Sequence, residues 1–218
     1  MSTRSDVEFI VGKIIAGFSV TRADEIPKID LYMDQVLTFL GERLRRTVRK
    51  SEADKLLTKT MVNNYVKNKV LIPPVKKKYG RDHILLLMLI YYMKNFLAID
   101  DIRRIVEPVS EKYARPTTRS AELLQGRKHG YSMSDVYTEV FEYVSMNLER
   151  FPGEVAKILD ETDKAFMNAP EEDREMLRRF NVICQLSADI YVRKLLIEKL
   201  LDETPGTPEP VKGGRGKN

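Results

Sequence analysis

Between Lys59 and Arg81 the chain sets amides and cations at helical intervals and has no carboxylate. Met61, Val62, Tyr65, Val66 and Val70 recur at the spacing that buries one side of a helix. That phase turns Lys59, Asn63, Asn64, Lys67, Asn68 and Lys69 outward, and either Thr58 or Thr60 can cap the helix start. Asparagine can pair with an adenine edge, and lysine with guanine or a phosphate. A plain solvated helix face has the same composition, so the flanking residues carry the distinction. Pro73-Pro74 stops the helix, because proline cannot continue it and drives the preceding residue to extended geometry. Lys76, Lys77 and Lys78 follow, then Tyr79, a turn at Gly80, and Arg81. This segment reads as a stub that lays its lysines along a phosphate backbone. The expected DNA contacts are Lys59, Thr60, Asn63, Asn64, Lys67, Asn68, Lys76, Lys77, Lys78, Tyr79 and Arg81.

The distribution of charge points the same way. Residues 43–81 hold 13 Lys+Arg and 2 Asp+Glu, a local net of +11, which leaves the rest of the 218-residue chain at −6. A basic module inside an acidic chain suits a polyanion partner. Arg45, Arg46, Arg49 and Lys50 extend the basic stretch toward the motif. No constellation for catalysis accompanies it: there is no phosphate-binding loop, dinucleotide fingerprint, nucleophile elbow or paired metal motif. His83 and His129 are far apart in sequence, Cys184 sits alone in an apolar pattern that predicts a buried thiol, and Glu171-Glu172-Asp173 reads as the acidic start of a helix. The expectation is a non-enzyme with no catalytic residue, cofactor or metal. A small-molecule effector has a conceivable pocket among Tyr137, Phe141, Tyr143, Phe166 and Tyr191, although core packing is the commoner job for such rings.

These residues need elements to position them, and the periodicities supply helices throughout. Ser5–Phe18 has Phe9, Ile10, Ile14 and Phe18 at helical spacing. Asp30 is placed to cap a helix striped by Leu31, Val36, Phe39, Leu40 and Leu44. Asp82 is placed to cap the most apolar helix, Ile84–Phe96, followed by a short one over Ala98–Val106. The 14-residue apolar run Ile84–Leu97 contains Lys94 and Asn95, and a membrane span takes about 20 apolar residues, so a buried core helix is expected. Thr117-Thr118 reads as a cap for a helix ending near Gly126. Ser134–Phe151 and Val155–Met167 read as two helices split by Pro152-Gly153. Glu171–Asp202 reads as the longest, with Leu177, Phe180, Ile183, Leu186, Ile190, Leu195 and Leu200 apolar, and the Pro/Gly/Lys-rich tail from Thr204 reads as disordered. The lone cysteine and a polar start to the chain fit a cytoplasmic protein.

Val62-Asn63-Asn64-Tyr65-Val66 and Val70-Leu71-Ile72-Pro73-Pro74, with Tyr79, Ile84 and Leu87 beyond them, resemble the recognition helix, wing and next helix of the MerR-type winged helix. Phe96-Leu97-Ala98-Ile99-Asp100-Asp101-Ile102 is similar to that family's closing turn, and Ile26–Val36 joined to this core resembles a bacterial family of unknown function read as MerR-like. The chain departs from MerR proteins at Asn64 and Val66, where they carry arginine and a second tyrosine. The resemblance implies a dimeric regulator bound to double-stranded DNA. The expected fold is therefore mainly α, a helix-turn-helix with a short wing followed by a C-terminal helical segment. Its expected divisions are an N-terminal helix and connector over 1–25, the MerR-like domain over 26–110, a dimerisation or effector region over 111–202, and the tail over 203–218. The alternative is a non-enzymatic helical adaptor whose basic face meets an acidic protein. An RNA reader is a weaker third, because only Tyr65 and Tyr79 are near the lysines for stacking.

Overall fold

The computed structural model describes residues 3–18, 21–45, 56–120 and 130–203. Arg46, Arg49 and Lys50, the helix end near Gly126, His129 and the tail from Thr204 lie outside the described residues. The chain is mainly helical. In order it forms α1 (Thr3–Gly17), a 3-10 turn (Ala23–Glu25), β1 (Leu31–Tyr32), α2 (Met33–Leu44) and α3 (Lys59–Lys67). Then follow β2 (Lys78–Tyr79), α4 (Arg81–Met93), α5 (Ile99–Tyr113), α6 (Met133–Asp163) and α7 (Glu171–Asp202). The two short strands pair antiparallel, Leu31 opposite Tyr79 and Tyr32 opposite Lys78.

Helix α4 is the centre of the molecule, because residues 81–88 are all buried. No polar stripe is left along this part of the helix, so it folds only with neighbours on every side. Val36, Leu40 and Leu44 of α2, Val62 and Tyr65 of α3, and Ile102 and Val106 of α5 close around it, with Met133, Tyr137 and Phe141 of α6. A second, smaller core joins Val11 of α1, Val155 and Leu159 of α6, and Val182 of α7. Helix α6 therefore has one end in each core. Helix α1 is tied to this layer by Arg4, which reaches Asp160 at 2.5 Å and Asp163 at 2.7 Å, and by Arg179 to Asp6.

Several sequence expectations change. Helix α6 runs straight through Pro152, and α5 through Pro108. Each proline removes one backbone donor, but buried residues on both sides carry the helix across, Phe141 and Val155 around Pro152, Val106 and Ser110 around Pro108. Asp30 does not cap α2; its carboxylate accepts from the Thr118 amide at 2.7 Å, and Tyr32 occupies the cap position. Asp82 lies inside the first turn of α4, buried, while Gly80 is the cap. Helix α1 buries Val11 and leaves Phe9, Ile10 and Ile14 exposed, because its partners α6 and α7 meet the other side. Cys184 is exposed, not buried. Thr117 does cap the residues after it: its hydroxyl accepts from the Ser120 amide at 3.2 Å. No described helix is long and apolar enough to cross a membrane.

Candidate nucleic-acid interface

Local chemistry fixes both ends of α3. The Thr58 hydroxyl accepts from the Met61 amide at 3.2 Å, satisfying one of the donors a helix start leaves open. At the other end Lys69 turns left-handed, with φ 57°. The amides of Val70 and Leu71 then both donate back to the Tyr65 carbonyl, at 2.8 and 3.1 Å. The Asn68 side-chain amide donates to the Asn64 carbonyl and to Asn64 Oδ1, each at 2.8 Å. Val62 and Tyr65 face the core, and burial pushes the Tyr65 phenol above its ordinary pKa. Lys59, Thr60, Asn63, Asn64 and Lys67 are exposed on the opposite side, with Asn68 half-buried beside them.

The stretch after Pro74 is a two-residue hairpin. Val75 and Lys78 exchange both backbone hydrogen bonds, at 3.1 and 2.9 Å. The reversal falls at Lys76 and Lys77, with φ of 50° and 62°, and not at Gly80. Two left-handed central residues match the twist of the flanking strands, and Asn-Gly is the usual choice there. A lysine held in that region costs on the order of 1–2 kcal/mol. Gly80 has a different purpose. A Cβ there would stand 2.8 Å from the Thr118 amide nitrogen, so the passing backbone excludes any side chain. Lys76 and Lys77 are exposed, and Lys78 is half-buried with its ammonium 5.1 Å from the ring centre of Tyr32.

Two expected contact residues are withdrawn from solvent. Tyr79 is 4% exposed and packs edge-on against His83, with ring centres 5.3 Å apart. Arg81 is 8% exposed, and its guanidinium donates to the Ala23 carbonyl at 2.6 Å. Both sit at the junction of β2 and α4, where the fold closes over them, so neither can reach a duplex. His83, whose sequence context reads as an ordinary structural role beside the core helix, anchors the hairpin at both ends. Its Nδ1 accepts from the Gly80 amide at 3.0 Å, and its Nε2 lies 3.4 Å from the Pro73 carbonyl, so Nε2 holds the proton. Burial pushes its pKa down to about 4.

What remains is a set of outward polar side chains on α3 and the hairpin, drawn from a segment, residues 59–81, that has no carboxylate. Lys59, Lys67, Lys69, Lys76, Lys77 and Lys78 form no salt bridge among the described residues. Tyr32, exposed and stacked on Lys78, joins this set; its alternation with buried Leu31 was the available signal. Arg43 does not join it, because it faces Glu25 at 3.4 Å. Among the described residues no three His, Cys, Asp or Glu side chains gather as metal ligands.

Residues 21–126 match the family model described as a domain of unknown function, DUF1836. The matched segment takes in the connector, the hairpin and α2 to α5, and so all of the outward polar residues named above. The resemblance to the MerR-type winged helix has no counterpart in this match. No curated protein and no solved structure matches the chain.

Proposed function

We propose that the chain is a dimeric, non-enzymatic DNA-binding regulator of transcription, with α3 as recognition helix and the Lys76–Lys77 hairpin as a short wing. One observation carries the reading: six lysines with no ion-pair partner among the described residues share an acid-free segment, and two of them occupy a strained turn where lysine has no conformational advantage. Strain kept at a polar surface is a mark of use. On this reading Lys76, Lys77 and Lys78 meet phosphates, while Asn63, Asn64 and Lys67 meet base edges.

The two sets fail differently. Phosphate contacts set affinity for any duplex and release counterions; base contacts discriminate sequence. Changing Lys76, Lys77 and Lys78 together to alanine weakens binding to all duplexes and flattens the salt slope by about 0.9 for each phosphate left without its lysine. Asn64→Ala leaves random duplex binding nearly intact and costs roughly 1–3 kcal/mol on a selected site. Salt titrations of both variants on random and selected duplexes provide the measurement. A shallow salt dependence in the unaltered protein, with no selectable sequence, transfers the lysine face to an acidic protein partner instead.

A further inference from the structure

We propose that the cavity between the connector Thr21–Asp24, the first turn of α4 and the first half of α6 is a binding site for a small carboxylate with an apolar body. The cavity holds about 660 Å³, within the roughly 300–1,000 Å³ of small-molecule sites. Two of its lining groups are buried with nothing to bond. Arg81 Nε and Thr21 Oγ1 have no hydrogen-bond partner among the described residues, although Arg81 is 8% and Thr21 1% exposed. A buried polar atom without a partner is costly, and a buried guanidinium more so. The neighbouring carboxylate acts on Arg81 only through space: Asp82 accepts from the Arg115 amide at 2.8 Å, and Arg81 forms no salt bridge among the described residues. A ligand carboxylate offers the acceptors that this end lacks, in charge-assisted bonds.

The rest of the wall suits an apolar body. Tyr137 and Phe141 present tilted rings with centres 4.3 Å apart. The Tyr137 hydroxyl is already committed to the Thr21 carbonyl at 2.9 Å, so it does not compete for the ligand, and the buried ring backs Phe141. Two acids also line the cavity. Asp24 is held by Arg22 at 3.1 Å, and Glu142 is exposed to solvent, where its charge is screened. The buried cation therefore sets the preference. The site stands on this geometry alone and is independent of whether the lysine face binds DNA.

The test titrates the full chain, labelled with nitrogen-15, with benzoate, phenylacetate and hexanoate, each beside its neutral amide. At least one carboxylate should shift the amide resonances of Thr21–Asp24, Arg81 and Tyr137 saturably, while its amide does not. Arg81→Gln should abolish the effect. Because Arg81 also holds the connector, Thr138→Phe supplies a second variant: Thr138 is an exposed lining residue whose hydroxyl donates to the Ser134 carbonyl within α6, and the added ring takes up space in the cavity with Arg81 intact. It should weaken binding by about tenfold or more. No saturable shift with any of the three carboxylates overturns the assignment. So does equal binding of the amides, or unchanged binding in Thr138→Phe.

Discussion

At the first turn of α4, Asp82 and His83 are neighbours in sequence and both are buried, with opposite consequences for pH. Burial pushes the His83 pKa from 6.5 down to about 4, so between those values the unfolded chain takes up a proton that the folded one refuses. Its contribution is complete above pH 6.5 and is lost as the pH falls toward 4. Burial pushes the Asp82 pKa from 3.8 up to about 6, so there the folded chain keeps a proton that the unfolded one has shed. Its contribution is present at low pH and is lost as the pH rises through 6. The two slopes oppose each other across nearly the same window. Asp82→Asn keeps an acceptor for the Arg115 amide and removes one of them. Relative to the unaltered protein, its stability should then rise with pH across the Asp82 window, from 3.8 to about 6, by at most about 1.4 kcal/mol per pH unit. Urea unfolding at several pH values reads this directly; parallel profiles for the two proteins would refute it. The outward set on α3 was legible because residues four apart share a helix face. Tyr79 and Arg81 were not legible as buried, because the groups that cover them, such as Ala23 and Thr118, are distant in sequence.

The hairpin is the element where conformation and charge disagree. Asn and Gly tolerate left-handed backbone that lysine resists. The double variant Lys76→Asn, Lys77→Gly should therefore raise stability by about 1–2 kcal/mol and at the same time weaken binding to any duplex. Thermal unfolding and a duplex titration on the same sample check both directions; a loss of stability would mean that the lysines make contacts within the fold. The start of α3 at Thr58 was readable, since capping acts within a few residues; its stop was not, because the helix ends at Lys67 and the chain turns left-handed at Lys69, ahead of Pro73. Nor was the passage of α6 through Pro152. Proline argues locally for a break, and only packing against α1, α4 and α7 outweighs it.

The whole molecule leaves an apolar seam uncovered. Met176, Phe180, Ile183 and Ile190 follow each other on α7 at intervals of four, three and seven residues, and Phe180 and Ile190 are 63% and 65% exposed. Alternating steps of four and three are the repeat by which helices interlock. Phe9, Ile10 and Ile14 of α1 are exposed in the same layer. A second copy related by a twofold axis would bury each of these side chains twice, each worth roughly 1.5–3 kcal/mol. Sedimentation should show a dimer at micromolar concentration, and Phe180→Asp with Ile190→Asp should leave a folded monomer. A monomer in the unaltered protein would remove dimerisation from the reading.

Because α6 begins in one core and ends in the other, the two layers have a common root, and neither can melt without fraying a helix that the other needs. Leu159, 1% exposed in the smaller core, lies 18 residues beyond Phe141 in the larger one, about 27 Å along the helix. Leu159→Ala should cost about 2–5 kcal/mol. The loss should register equally in hydrogen exchange at α4, which Leu159 does not help to bury, and at α1, which it does. Exchange that quickens only in α1 and the second half of α6 would locate a seam at Pro152, and the chain would then be two folding units sharing one helix in name only.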